Sequence, residues 1–408
     1  MTNVVIVEAV RSAVGKRRGG LSQVLAPDLF SDVLKGLINR AGVDSSIVEQ
    51  VTGGCVSQVG QQSGNVTRSA WLAAGLDQRA AASTIHAQCG SAQQAFTLAY
   101  GLVAGGVAEV AVAGGVESMD QVPMTSSVVP ELGPSKTPRY AEHYEITTQF
   151  EAADRIAETW GFSRDDLETF AVLSQDRAAA AVAGGRFDGQ IIPVEAPTVD
   201  ENGQVNGSKV ISVDEGPRPT TRDGLAKLRV NLPDRPGALH TAATSSQISD
   251  GASGLLLMSE ERAAQLDLTP RARIVDSLMI GNDPVMMLTG PIPATQRILE
   301  RNNLTLDDID VIEINEAFAS VVLAWQHEVK ADLAKVNVNG GAIALGHPLG
   351  ATGGVLLTKA LNGSSVSAGA TPWSRCALAA AWARGRSLNA SDLPLNASDL
   401  HRAGETVT

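Results

Sequence analysis

Thiols are the most nucleophilic side chains available at neutral pH, and one of the three in this chain, Cys89, stands in the run His86-Ala87-Gln88-Cys89-Gly90-Ser91-Ala92. The spacing beyond it predicts a small-residue helix over 91–104, ended by Gly105-Gly106. A thiol at such a helix start faces free backbone N–H groups and the positive end of the helix dipole, which favours thiolate. Small neighbours leave room for a bulky thioester. Taken alone, a cysteine of this kind is more often a buried structural residue.

Two further runs narrow the chemistry. In Asn337-Val338-Asn339-Gly340-Gly341-Ala342-Ile343-Ala344-Leu345-Gly346-His347-Pro348-Leu349-Gly350-Ala351-Thr352-Gly353, glycines crowd one histidine at a strand-to-helix turn, with Pro348 at the helix start. An imidazole held there can deprotonate a nearby thiol, the Cys–His logic of nucleophilic catalysis. Asn315-Glu316-Ala317-Phe318 closes an apolar strand, and polar pairs at strand ends of parallel sheets are where such folds carry sites. An Asn cap with an ordinary first-turn Glu is the plainer alternative.

These runs need a scaffold, and the pattern supplies one. Strands expected at 4–7, 51–56, 83–85 and 110–113 alternate with helices at 25–41, 64–74 and 91–104, which makes parallel β-α-β units. Residues 121–140 are rich in Pro, Ser and Thr. Charged helices at 151–160 and 164–183 follow, and then a strand-and-loop region to about 249, an insertion with its own surface. Core composition returns with 251–258. A second α/β half has strands at 272–278, 311–314 and 336–339, and helices at 294–302, 318–330 and 350–361. The Cys89 and His347 runs occupy equivalent places in the two halves, so pseudo-twofold packing brings the two helix starts face to face.

At 408 residues the chain has room for two or three packed units. A net charge of −12 argues against a nucleic-acid binder or a basic membrane-surface protein. Cys55, Cys89 and Cys376 are too few for a disulfide scaffold and do not pair as metal ligands. With no apparent leader and no membrane span, the expectation is a reducing, cytoplasmic enzyme.

Taken together, Val10-Arg11-Ser12-Ala13-Val14-Gly15-Lys16, the Cys89 helix, Gly114-Gly115-Val116-Glu117-Ser118-Met119, Gly281-Asn282-Asp283-Pro284, Gly290-Pro291-Ile292-Pro293-Ala294, Asn315–Phe318 and Gly346-His347-Pro348 resemble the thiolase family, in family order, up to about Leu361. The resemblance implies an α/β fold of two βαβαβαββ halves in α-β-α-β-α layers with an inserted loop domain. On this chain it implies a first half at 1–119 plus 250–270, the insertion at 120–249 and a second half at 271–361. It also implies homodimers or homotetramers that use coenzyme A and acyl-CoA as substrates, with no further cofactor and no metal.

By the same resemblance, Cys89 is the acylated nucleophile and His347 its base, while His347 and a water on Asn315 hold the thioester oxyanion. Arg218, in Asp214-Glu215-Gly216-Pro217-Arg218, and Ser246, in Thr244-Ser245-Ser246-Gln247, match coenzyme A contacts of relatives. Departures fall on the acyl pocket: His86 replaces the usual Asn, Ala92 a common Gly, and Gln149-Phe150-Glu151-Ala152 does not follow the usual Met-Gly-x-Thr-Ala-Glu. Two other readings compete. A ketoacyl synthase-like condensing enzyme would carry a second His where Asn315 stands. A catalytically dead acyl-CoA-binding homologue would explain the missing Cys-x-Gly-Gly-Gly motif, the family's acid–base element.

Residues 362–408 form an aberrant tail that repeats Leu-Asn-Ala-Ser-Asp-Leu at 388–393 and 395–400. Back-translated one base out of frame, the codons from Cys376 onward can read Met-Cys-Ile-Gly-Gly-Gly-Met-Gly, the missing motif. The expectation is a frameshifted C-terminus that lacks the last strands of its second sheet and has impaired turnover.

Overall fold

The computed structural model describes residues 2–365 and, as a strand backbone, 376–380. The first half runs β1 (Val4–Arg11), β2 (Gly15–Lys16), α1 (Ala26–Ala41), β3 (Gln50–Gly54), α2 (Val66–Ala73), β4 (Ala81–Ile85), α3 (Ser91–Ala104) and β5 (Val110–Ser118). The insertion holds α4 (Pro138–Ala141), α5 (Gln149–Trp160), α6 (Arg164–Ala183), the antiparallel hairpin β6 (Val194–Val199) and β7 (Val205–Ile211), and α7 (Arg222–Leu225). Then come β8 (Ser249–Ser259), α8 (Glu260–Gln265), β9 (Ala272–Arg273), α9 (Pro291–Asn302), β10 (Ile309–Ile314), α10 (Ala319–Val329), α11 (Ala342–Leu345), α12 (Thr352–Ser365) and β11 (Cys376–Ala380).

The main sheet has the order β4-β3-β5-β8-β1-β9. β3 is parallel to β4 and β5, whereas β8 runs antiparallel between β5 and β1. Its strands are apolar on both faces, as a sheet covered on both sides requires. Val5, Val7, Val112, Leu256 and Met258 pack with α1, while the alternate residues Val4, Ile6, Ala111, Ala113, Leu255 and Leu257 pack with Phe96, Ala99 and Val103 of α3. Beyond that layer lies β10. Its Glu313 bonds Lys359 of α12, while Ile312 and Ile314 pack with Val322 and Trp325 of α10. The layers are therefore α-β-α-β-α, as expected from the sequence.

Buried ion pairs tie the parts together. Arg11 makes a bidentate pair with Asp214 at 2.6 and 2.8 Å, locking the insertion to the end of β1. The insertion does not stand apart: α5 and α6 pack on α10, with Phe150 edge-on to Phe318 at 5.4 Å, and Arg177 of α6 donates to Leu333 O and Val336 O.

Three expectations are corrected. The strand at 272–278 shrinks to β9, because it runs antiparallel off the start of β1 and its last bond is Ile274 N to Val4 O. The strand at 336–339 is a single bridge, Ile312 to Val336. At Asn337 (φ +44°) the side chain takes over the pairing, accepting from Ile314 N and donating to Ile314 O. Third, β11 does lie parallel beside β10, since such a ladder uses main-chain groups alone. α12 also runs past Leu361 to Ser365. The repeated segments at 388–400 lie outside the described residues.

Candidate active site

Cys89 sits in a tight turn between β4 and α3. Gln88 takes a left-handed conformation (φ +52°), uncommon for a residue with a side chain. Ser91 pins the turn: its Oγ accepts from Ala87 N at 2.9 Å and donates to Gln88 O at 2.6 Å. Cys89 itself is partly buried against Val56, Met119 and Leu349, with Met124 and Ile248 beside them. This surround reverses one expectation. Burial, reinforced by the negative charge of Glu117 and only partly opposed by a backbone hydrogen bond, pushes the Cys89 thiol up to about 12, so the helix start does not hold it as thiolate. Cys55 is fully buried, with its thiol raised further still.

The turn carrying His347 comes from the other half. Gly346 has φ +112°, a conformation left to glycine, and a Cβ there would meet Ser249 Oγ at 2.2 Å. Ser249 Oγ accepts from His347 N. The helix begins at Thr352, later than Pro348, and the intervening turn packs face to face with the Cys89 helix start. A Cβ on Gly353 would meet Gln93 N at 2.3 Å, and one on Gly54 would meet both Ala92 N and Gly350 O.

Hydrogen bonding determines the imidazole's state. Thr352 Oγ1 donates its one proton to Pro348 O at 2.8 Å, so it accepts from His347 Nδ1–H at 2.7 Å. Burial holds His347 down at about 4, hence neutral, and Nε2 keeps its lone pair, facing Asn315 Nδ2 at 3.2 Å. Asn315 Oδ1 is buried and has no partner among the described residues.

Asn315 is held by its neighbours. Glu316, which is not a first-turn helix residue, is fully buried and accepts from Ser174 Oγ, Asn337 Nδ2 and Ile343 N. Ser246 N donates to Ala317 O, and Ala319 N donates to Thr244 O, so the Ser246 segment braces the Asn315 loop. Arg218 is exposed. Its segment lies against the approach to His347: Gln247 Nε2 bridges Gly216 O, Ile343 O and Ala344 O. The fold thus brings Cys89, His347, Asn315 and the Ser246 segment together, with Arg218 on the exposed side of the same region. Sequence reasoning singled out neither Thr352, Ser249 nor Ser91, because a hydroxyl's partner is visible only once the chain is folded. Among the described residues no group of His, Cys, Asp and Glu is placed to hold a metal ion.

A thiol, an imidazole and an amide gathered between two stacked α/β halves are an arrangement chemically able to carry acyl transfer. Family models for the thiolase N-terminal domain and the thiolase C-terminal domain match residues 4–261 and 268–381, and the chain belongs to the thiolase family. It is 44% identical over 370 residues to a steroid 3-ketoacyl-CoA thiolase of Mycobacterium tuberculosis, covering 89% of this chain and 88% of that one. A 3-ketoacyl-CoA thiolase of Photobacterium profundum is 42% identical over 369 residues, covering 89% and 92% of the two chains. The crystal structure of Bacillus anthracis acetyl-CoA acetyltransferase superposes with a TM-score of 0.79 at 34% identity, covering 90% of this chain and 93% of that one.

Proposed function

We propose that this chain moves acyl groups between coenzyme A and Cys89, cleaving 3-ketoacyl-CoA to acetyl-CoA and a shortened acyl-CoA, with the reverse condensation on the same site. The observation that carries this reading is the packing of the His347 turn against the Cys89 helix start, with a neutral imidazole whose unprotonated Nε2 faces Asn315 Nδ2 at 3.2 Å. As Cys89 sulfur attacks the 3-keto carbon, its proton passes to Nε2. The bond between carbons 2 and 3 breaks, the acetyl-CoA carbanion takes its proton from the acid–base group that the Cys-x-Gly-Gly-Gly motif would supply, and the acyl group stays on sulfur. Coenzyme A thiol then attacks this thioester and frees Cys89. Asn315, through a bound water, and His347 serve the oxyanion. The exposed cation Arg218 suits the nucleotide phosphates, and Ser246 lies on the adjoining segment.

Three finer proposals accompany this one. The degradative direction is favoured by the absent biosynthetic loop pattern at 149–152. Work in the cytoplasm as a homodimer or homotetramer fits the acidic composition and the outer edge of β4, which no other strand among the described residues pairs; no helix among the described residues is long and apolar enough to cross a membrane. The tail from 362 is a shifted reading frame that hides the acid–base cysteine. A gene sequence without Cys-Ile-Gly-Gly-Gly in its alternate frame would refute the last, as would brisk thiolysis by this chain.

Incubation with acetyl-CoA tests the central reading. Intact mass should show one acetyl group, mapped to Cys89, in the wild type and in the control variant Cys55→Ala, and none on that site in Cys89→Ala. Acetylation persisting at wild-type level in Cys89→Ala would overturn it. A condensing enzyme of the synthase type or a dead binding homologue would give no thiolysis across a panel of 3-ketoacyl-CoA substrates once the C-terminal motif is restored.

A further inference from the structure

Glu117, near the end of β5, is fully buried and, beyond the effect of its charge on the Cys89 thiol, has no role in the steps above. Its Oε1 accepts from Ser57 N and Gln62 Nε2, both at 2.9 Å. Its Oε2 accepts from Val56 N at 2.9 Å and Gly350 N at 2.8 Å. All four partners are N–H groups with no lone pair to offer, so a proton on this carboxyl would have no acceptor. Burial leaves the acid raised above its usual range and the four N–H groups draw it only part of the way back, yet a set of donors alone is the set a carboxylate satisfies.

These donors come from both halves. Val56, Ser57 and Gln62 follow β3, whereas Gly350 lies three residues after His347. The approach at 350 admits only glycine, because a Cβ would come within 2.4 Å of Val116 O and 2.7 Å of Glu117 Oε2. Cys89 packs against Val56 and Leu349, the residues that carry or adjoin the two donors on Oε2. Resting on the acyl-transfer reading of Cys89 and His347, we propose that Glu117 is the positioning residue that locks the turn carrying His347 onto the loop that walls Cys89. One oxygen atom spans the two walls of the nucleophile, so a shift of either donor moves the imidazole relative to the thiol.

The test is the first-order rate of acetyl transfer from acetyl-CoA to Cys89 in the full chain, followed by quenched intact mass. This half-reaction needs no acid–base cysteine. Glu117→Gln turns an NH₂ toward two N–H donors. It should lower the rate at saturating acetyl-CoA by about 10²-fold, the typical effect of misplacing a reacting pair by about 1 Å. The half-saturating concentration should stay within about twofold, since coenzyme A contacts lie elsewhere. A rate within about threefold of wild type, or a loss that only tracks the folded fraction, overturns the proposal. Should Glu117→Gln fail to fold, Gln62→Met removes one donor and leaves the three backbone ones. A fall of about tenfold supports the proposal and an unchanged rate overturns it. If wild type takes no acetyl on Cys89, the acyl-transfer reading itself falls and this inference falls with it. If wild type and Glu117→Gln are acetylated alike, only this inference fails.

Discussion

The thiol of Cys89 should react slowly with a reagent that brings no base, and quickly with a thioester that His347 can serve. A free cysteine is about 3% thiolate at pH 7, whereas a thiol pushed up to about 12 is ionised to about 10⁻⁵. That is a deficit of about 3 × 10³ in reactive species. A more basic thiolate is intrinsically more nucleophilic, and a Brønsted slope of about 0.4–0.5 over roughly 3.5 units restores about 30- to 50-fold. The net expectation is alkylation of Cys89 by iodoacetamide about 10²-fold slower than that of free cysteine at pH 7. The assay uses Cys55→Ala, acid-quenched between pH 6 and 10, with peptide mapping to assign the label to Cys89. The rate should climb about one decade per pH unit throughout. Acetylation by acetyl-CoA should instead stay level from pH 6 to 9, because His347, held at about 4, is neutral across that window and takes the proton directly. Alkylation as fast as free cysteine at pH 7, or levelling off below pH 9, would mean that the thiolate is already formed and that burial is not the dominant effect.

Asn315→Ala should slow Cys89 acetylation by about 10²–10³-fold while lowering the Tm by only a few degrees; matched losses of activity and stability would make Asn315 a packing residue. Buried His240, bonded to Ser320 Oγ and the Thr244 hydroxyl, is depressed to about 4. The unfolded chain therefore binds its proton from about 6.5 downward, and stability present above that pH is lost as pH falls toward 4. The stability advantage of wild type over His240→Gln should shrink by about 2 kcal/mol between pH 7 and 4.5 in denaturant titrations; a constant difference would refute this. Arg11→Met strands the Asp214 carboxylate in the interior and should cost about 3–5 kcal/mol by the same measurement, whereas an effect below about 1 kcal/mol would mean that water or another donor reaches Asp214.

Much of this protein is written locally. The helices at 91–104 and 164–183 form where the sequence places them, because an N-terminal turn, apolar spacing and a closing glycine are all local signals. The near-continuous apolar runs of β1, β5 and β8 are likewise intrinsic, since both faces of a covered sheet must be apolar. Cys89, Asn315 and His347 could be named because each stands at a strand-to-helix transition among small residues, a pattern with few structural uses. What the chain alone did not determine is how those groups behave. The helix start at Cys89 promises thiolate, yet burial by Val56, Met119 and Leu349 from distant segments outweighs it. The tautomer of His347 depends on where Thr352 sends its one proton, and Asn337 ends a strand only because its side chain meets Ile314. The role of Glu117 depends on four donors from separate loops. Local pattern sets backbone conformation because φ/ψ preferences and apolar periodicity act over a few residues. Protonation and hydrogen-bond direction instead follow the dielectric and the partners that long-range packing assembles, and these exist only in the folded chain.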